Sequence, residues 1–429
     1  MITRGFKRTV PFLALASTII FTSCQKEELM ENQFENSVSE SADTESTVVE
    51  GQYIVVFKNG STGLNASHSN DLSTSERSNY TGLRNRLMSD ARIPAEELIQ
   101  SYDGVVNGFA ARLSPMQLEA LKDNPYVEYI EQDRTIILGK GKKKKVKSST
   151  TTSPSTPVSP VTEPDPNSYK TITPLNGEHI PWNIQRVGYG DGTGKTVWII
   201  DSGVDTDHPD LNIDLSRSAS FIYGNTSVED GHGHGTSVAG VIAAKNNGSG
   251  MIGVASNATI VPLRVFDDAG AGTVSRAISA VNHVSNNAKP GDVVNISLGS
   301  GISSTLDNAV KAAASKGIFF TIAAGNSGVD CASTSPARVD APGVYTLSAM
   351  DSYNRLWASS NYGVTVDFAA PGVNVTVTMK GGGIGSGANG TSFAAPHVAG
   401  ILLLRGKVYS QGTITGDKDN TPDPIASVE

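Results

Sequence analysis

The chain of 429 residues has only two cysteines, Cys24 and Cys331. At most one disulfide could form, so stability has to come from core burial or bound ions. No His-Glu-x-x-His occurs, which excludes the helical zinc site of that pattern and a metallopeptidase built on it. Positive charge is not in excess. Lys and Arg number 34 against 42 Asp and Glu, a net charge of −8, so no basic face dominates and nucleic acid is not an expected partner. The basic run Lys140 to Lys147 is a local exception. Long apolar stretches are missing as well: Val10 to Phe21 holds a proline and two small polar residues and is too short to span a bilayer comfortably. Glycine is abundant at 44 residues, which implies many tight turns, and 38% hydrophobic with 18% charged residues suits a soluble globular protein. The length calls for two or three parts.

The first 23 residues read as a targeting segment: Arg4, Lys7 and Arg8 open it, the apolar run follows, and small residues precede Cys24. Phe21-Thr22-Ser23-Cys24 resembles the lipobox of bacterial lipoproteins, which implies lipid on Cys24 and membrane contact through that anchor alone. Lys26-Glu27-Glu28 resembles a sorting signal for surface exposure. The alternative is an ordinary signal peptide with an incidental cysteine. Either way the chain is exported, as an envelope lipoprotein or as a protein secreted after processing. With Cys24 lipidated, Cys331 has no partner and is expected as a buried, inert thiol.

Residues 24–50 are polar, lack apolar periodicity and read as a tether. Residues 51–138 read as a small α+β domain. Tyr53 to Phe57, Val105 to Leu113 and Val127 to Ile130 are strand candidates, and Ser114 to Lys122 is a helix with Ser114 as its N-cap. Residues 139–167 are a linker by composition, lysines and then Ser, Thr and Pro; solvated chain is the default for it, and an exposed cleavage point the other reading. Residues 168–429 alternate strand and helix. Thr196–Ile200, Thr259–Val265, Val293–Ile296 and Phe319–Ile322 are apolar runs suited to strands buried on both faces. Ser237–Lys245, Val274–Asn287 and Thr305–Lys316 are the helices between them. The pattern predicts an α/β fold with a mainly parallel sheet in three layers, whose functional residues gather at the carboxyl ends of strands.

Three short blocks carry chemistry. Asp201 follows the first buried run, where a carboxylate can hold an imidazole in one tautomer; a turn aspartate is the bland alternative. His234 lies between glycines in Gly233-His234-Gly235-Thr236, with an ordinary pKa of about 6.5 that suits proton transfer near neutrality. Ser392, in Gly390-Thr391-Ser392-Phe393-Ala394-Ala395-Pro396, opens an apolar helix. It reads as an N-cap or as a nucleophile whose oxyanion the helix N-terminus would favour.

Together these blocks, in the order Asp, His, Ser, resemble the subtilisin-like serine proteases (subtilases), most closely their proteinase K branch, over most of residues 180–410. The resemblance implies a secreted endopeptidase with a triad of Asp201, His234 and Ser392. Asn326, in Ala324-Gly325-Asn326-Ser327-Gly328, would be the side-chain oxyanion donor. Ser297-Leu298-Gly299 and Gly270-Ala271-Gly272 match the two segments that sandwich an extended peptide as an added strand, which implies broad specificity with an apolar residue before the cut. Asn107 to Leu113 and Asn124 to Glu131 resemble the inhibitor-type propeptide of the same family, a ferredoxin-like module. It implies a zymogen whose propeptide blocks the cleft near Ile136-Ile137-Leu138. No cofactor is implied for the chemistry. One structural calcium ion is, on Asp367 with carbonyls near Pro342 and Val344. A monomer acting on polypeptides, and on its own propeptide, is the partner expectation.

Asp205, Asp207 and Asp210 resemble the start of a calcium loop, but Pro209 and Ser216 stand where oxygen ligands are wanted. His232 reads as a surface or supporting residue and His397 as helix packing. An inactive binding scaffold and a transpeptidase on the same triad are the competing functions. The intact triad speaks against the first, and nothing in the sequence favours the second.

Overall fold

The computed structural model describes residues 46–58, 60, 74–138, 144–145 and 169–429; the side chains of 74–78 and 144–145 are outside that description. The expected targeting segment, the expected lipid site at Cys24 and most of the expected tether and linker therefore lie outside the described residues. Among the described residues no helix is long and apolar enough to cross a membrane.

Alternation along one strand organises the N-terminal part. In Val48–Phe57 (β1), Val55 and Phe57 turn to one side and Ile54 and Val56 to the other, and all four are buried. Leu98–Asp103 (β2), Asn107–Arg112 (β3) and Val127–Ile137 (β4) complete an antiparallel sheet in the order β4-β1-β3-β2. Thr74–Asp90 (α1) and Pro115–Lys122 (α2) cover the first side, with Tyr80, Leu87 and Leu121 on Val55, Phe57 and Phe109. Ser114 caps α2 as expected, in a reciprocal box with Gln117. Neither α1 nor β2 is among the elements expected from the sequence. β1 begins at Val48, inside the segment read as a tether, because Val48 pairs with Arg134.

The larger part is a nine-stranded sheet. Beyond the short Lys144–Lys145 (β5), its members and neighbours are Thr196–Asp201 (β6), Ala219–Ser220 (β7), Thr259–Arg264 (β8), Ala271–Thr273 (β9), Val293–Ile296 (β10) and Phe319–Ala323 (β11). Val344–Met350 (β12), Phe368–Pro371 (β13), Val375–Thr378 (β14), Ile384–Ala388 (β15), Tyr409–Thr413 (β16) and Pro424–Ser427 (β17) follow. The order is β16-β17-β13-β12-β11-β10-β6-β8-β7, parallel throughout except for the β16 edge. Past the short helix Trp182–Val187 (α3), Val197 and Ile199 of β6 pack under His234–Ala243 (α4) and Thr391–Arg405 (α7). Trp198 and Ile200 pack under Val274–Asn287 (α5) and Ser304–Ala314 (α6). These are the three layers that the apolar runs predict.

The second side of the small sheet lies on α5 and α6. Ile54, Val56, Tyr102 and Ala110 join the same buried cluster as Val274, Ile278 and Val281. Glu131 Oε2 accepts the Thr305 N–H at 3.0 Å and its hydroxyl at 2.8 Å, at the start of α6. Asp133 Oδ1 accepts the Ser275 N–H at 3.0 Å, at the start of α5. Both carboxylates thus sit where helix amides lack intrahelical partners. Asn282 clamps Val106, donating to its carbonyl at 2.9 Å and accepting its N–H at 3.0 Å. The end of β4 then leaves its own sheet and pairs antiparallel with β9: Thr135 with Thr273, Ile136 with Gly272 and Ile137 with Ala271.

The linker differs from expectation at one point. Lys144–Lys145 is not free chain: Lys144 pairs with Ser386 and Lys145 with Gly385, antiparallel on β15. An edge strand presents unpaired amides and carbonyls, and backbone pairing tolerates a basic run as well as any other.

Candidate active site

Asp201 ends β6, fully buried, and accepts the Ser202 N–H at 2.7 Å. His234 Nδ1 lies 2.8 Å from one Asp201 oxygen and 2.9 Å from the other. A carboxylate can only accept here, so Nδ1 carries the proton and Nε2 is left with its lone pair. The contact needs α4 to approach β6 closely. Gly235 makes this possible, since a Cβ there would stand 2.0 Å from the Gly203 carbonyl oxygen. Gly233, at φ +96°, turns the chain into the helix, and His234 is the first helical residue.

A residue that the sequence reading passed over holds this turn. Asp230, fully buried, accepts the Ser202 hydroxyl at 2.9 Å, the His232 and Gly233 N–H groups at 3.1 and 2.6 Å and the Thr236 N–H and hydroxyl at 2.9 and 2.6 Å. It ties the loop after Asp201 to the loop before His234. Its position before a glycine signals a turn, but not that five donors from two segments meet on it.

Ser392 is not a helix cap. Gly390 holds that place, Ser392 is the second helical residue, and its hydroxyl donates to the Ser297 carbonyl at 3.4 Å. Its own carbonyl accepts the Ser297 hydroxyl at 2.9 Å, and Asn295 Nδ2 donates to that hydroxyl at 2.8 Å. The Ser392 amide belongs to the first turn of α7, whose N–H groups have no carbonyl within the helix. The ring of Phe393, the next residue, stands 5.5 Å from the His234 ring, centroid to centroid, so the first turn of α7 abuts the imidazole.

Asn326 follows β11 at the same sheet end. Its Oδ1 accepts both the Thr391 N–H and the Thr391 hydroxyl, each at 2.8 Å. Those two bonds fix the amide rotamer and make Nδ2 the donor end, and Thr391, which makes them, is the residue just before Ser392. The sequence reading did not foresee Thr391, whose hydroxyl also accepts the Gly325 N–H at 3.0 Å.

Of the two segments expected to take a peptide, Gly270-Ala271-Gly272 is paired with residues 136 and 137, and Gly270 O accepts the Leu138 N–H at 2.8 Å. Among the described residues no strand pairing joins Ser297-Leu298-Gly299 to that tail. Ser297 and Leu298 are buried instead, and Ser297 supports Ser392. His232 is half-buried, its ring 6.4 Å from that of His234. His397 is fully buried in α7; its Nδ1 donates to the Phe393 carbonyl at 2.7 Å and its Nε2 accepts from Asn183 at 3.0 Å. Burial holds its pKa down to about 4.

Among the described residues no three His, Cys, Asp or Glu side chains converge as metal ligands. At Asp367, desolvation and the neighbouring Asp340 push the carboxyl up to about 6, although Oδ2 accepts the Thr346 N–H. Like charge near a desolvated carboxylate is an environment that a cation would relieve. Asp205, in contrast, is spent on the backbone: its Oδ2 accepts the Gly381 N–H at 2.7 Å. Cys331 is a free, buried thiol with its pKa pushed up to about 12 by burial.

A family model described as the subtilase family matches residues 192–415, more than half of the chain and all of these blocks. The chain belongs to the subtilase family. A second model, a peptidase inhibitor I9 domain, matches residues 52–138 of this subtilase. The alkaline protease of Alkalihalobacillus alcalophilus is 36% identical over 342 residues, covering 77% of this chain and 78% of the relative. Subtilisin Savinase of Lederbergia lenta is 42% identical over 261 residues, 58% of this chain and 94% of the relative. Alkaline serine exoprotease A of Vibrio alginolyticus is 36% identical over 306 residues, and the chain spans 52% of its length. The crystal structure of a cold adapted subtilisin-like serine proteinase matches with a TM-score of 0.51 at 33% identity, covering 59% of this chain and 99% of that one. This subtilase is a serine protease of the subtilisin type that carries an inhibitor-type propeptide.

Proposed function

We propose that this subtilase is an exported endopeptidase made as a zymogen, with Ser392 as nucleophile, His234 as general base and acid, and Asp201 as the group that orients the imidazole. The Asp201–His234 pairing carries the reading, because it leaves Nε2 as the one basic nitrogen of the ring. In the reaction the Ser392 Oγ bonds to the carbonyl carbon of a peptide and its proton passes to His234 Nε2. The oxyanion so formed is bound by Asn326 Nδ2 and the Ser392 N–H. The C–N bond then breaks and His234 returns the proton to the departing amine. Water, deprotonated by the same nitrogen, hydrolyses the ester and restores Ser392.

Pairing of residues 135–137 with β9 supports a self-inhibiting propeptide, since it occupies one wall of the strand-shaped substrate groove. Recognition through backbone supports broad specificity; an apolar residue before the cut and descent from the proteinase K branch belong to this proposal. So do a monomeric state, a stabilising calcium ion at Asp367, Pro342 and Val344 without a part in the chemistry, and export with lipid on Cys24. A fluorophosphonate probe tests the central claim. It labels the mature wild type and not Ser392→Ala; an unlabelled wild type overturns the claim. Mass analysis of the exported precursor tests the lipid on Cys24.

A further inference from the structure

An oxyanion donor has to point at the reacting atom within about 0.5 Å. Thr391 sets the amide end of Asn326. The main-chain end is set from elsewhere, by Asn361, which is fully buried in the segment between β12 and β13. Ahead of Asn326, the Asn361 Nδ2 donates to Ala324 O at 3.0 Å and the Asn361 N–H donates to Gly325 O at 2.9 Å. Behind it, Asn361 Oδ1 accepts the Ser327 and Val329 N–H groups at 3.0 and 3.2 Å. One residue therefore grips the loop on both sides of the donor. Its neighbours lengthen the seam: the Gly328 N–H donates to Ser359 O at 2.9 Å and the Tyr362 N–H to Val329 O at 3.1 Å. Ser360, also fully buried, holds this segment to β12, its hydroxyl accepting the Ala349 N–H at 3.0 Å and donating to Asn361 O at 2.9 Å.

The seam is closed from outside by Lys418, on the loop between β16 and β17. Its ammonium lies 2.7 Å from Ala358 O and 3.5 Å from both Ser360 O and Gly328 O, over the Tyr362 ring at 5.3 Å from the centroid. An ammonium has three donors and can serve three carbonyls. Gly328 belongs to the loop of Asn326, and Ala358 and Ser360 to the segment of Asn361, so Lys418 spans the same two pieces of chain. Its own loop is pinned in turn. Asp417 Oδ2 accepts the Asp423 N–H at 3.1 Å, and Asp423 Oδ2 accepts the Ser348 hydroxyl of β12 at 2.6 Å. We infer that Asn361 is a positioning residue for the oxyanion donor, and that Lys418 extends this support to the β16–β17 hairpin, which thereby sets the rate of turnover. The inference rests on the peptidase reading above. Neither side chain touches the reacting atoms; both act through Asn326. Their effect therefore falls on kcat and requires the Asn326 amide to be present.

Double-mutant cycles with Asn326→Ala test this. Full-length precursors matured by wild-type enzyme on beads, which are then filtered away, give each variant without foreign activity. Asn361→Ser should lower kcat about 10–50-fold in peptide hydrolysis and leave KM within about twofold. Lys418→Met, at an exposed position, should lower kcat about threefold. In the Asn326→Ala background each of these changes should lower kcat by less than about 1.5-fold, because the donor that they position is gone. A residue that only stabilised the fold would cost the same in both backgrounds. Asn361→Asp keeps the acceptor for Ser327 and Val329, loses the donor to Ala324, and should fall between wild type and Asn361→Ser. If Asn361→Ser does not fold, the cycles with Asn361→Asp and Lys418→Met decide. Losses that multiply in full with Asn326→Ala, losses confined to KM, or wild-type kcat in the single variants overturn the inference and leave the peptidase reading intact. A wild type without Ser392-dependent hydrolysis overturns that reading, and this inference with it.

Discussion

Asp201 and His234 meet through both carboxylate oxygens, at 2.8 and 2.9 Å, in a pocket that leaves the aspartate fully buried. The pair sets the tautomer. Asp201→Asn presents an N–H in place of an oxygen and favours the wrong one. The expected outcome is a loss of about 10⁴ in kcat with little change in KM, read from steady-state hydrolysis of a peptide substrate.

Asn326 Oδ1 accepts both the Thr391 N–H and the Thr391 hydroxyl. Asn326→Ala should lower kcat by about 10²–10³, the effect such a donor has in a related subtilisin, and leave KM nearly unchanged. Thr391→Val keeps the amide N–H contact and loses the hydroxyl. It should cost less, about tenfold in kcat, with the remaining activity showing the wild-type pH profile.

Asp230 joins the loop after Asp201 to the loop before His234, beside the direct bond from the Gly235 N–H to the Ser202 hydroxyl. Asp230→Ala leaves five donors without their acceptor, and the protein should lose about 3 kcal/mol or more in denaturant melts. Asp230→Asn keeps one oxygen and should recover part of that stability, but not full kcat, because the His234 loop is no longer tied on both sides.

Glu131 joins the propeptide to the start of α6 by two hydrogen bonds. Supplied in trans to mature enzyme, a propeptide carrying Glu131→Ala should inhibit about tenfold more weakly, as judged by its inhibition constant at low salt. An unchanged constant would show that the apolar contact of Ile54, Val56 and Ala110 suffices.

His397 should make the fold acid-sensitive. Its pKa in the folded protein is held down to about 4 by burial, below an unfolded value of about 6.5. The stability contributed by the neutral ring is therefore complete above about 6.5 and is lost as pH falls toward 4. Melting temperatures across that window should decline less steeply in His397→Gln than in wild type; parallel curves would refute the assignment.

The apolar runs at 196–200, 293–296 and 319–322 were legible as buried strands because burial on both faces demands unbroken hydrophobic character. The helix at 274–287 was legible to the residue, since its stripe repeats with the helical period. α1 was not, although Tyr80, Leu83, Leu87 and Met88 recur at helical spacing, because the rest of the segment is polar and includes a glycine. The three chemical blocks stood out because glycine and small residues cluster around them. Asp230 and Thr391 did not, because an aspartate before glycine and a threonine beside serine look like many others.

By itself, then, the order of residues determined most of the strands and helices, the presence of an aspartate, a histidine and a serine in a known succession, and a separate N-terminal module. Only the folded arrangement decided that Asp201, His234 and the start of α7 converge at one sheet end, that Asn326 is oriented by Thr391, and that residues 135–137 pair with β9 and Lys144–Lys145 with β15. Periodicity and side-chain chemistry act between near neighbours and can be read locally. Hydrogen-bond partners more than a hundred residues apart are assigned by strand order and register, which the close packing of the whole sheet selects.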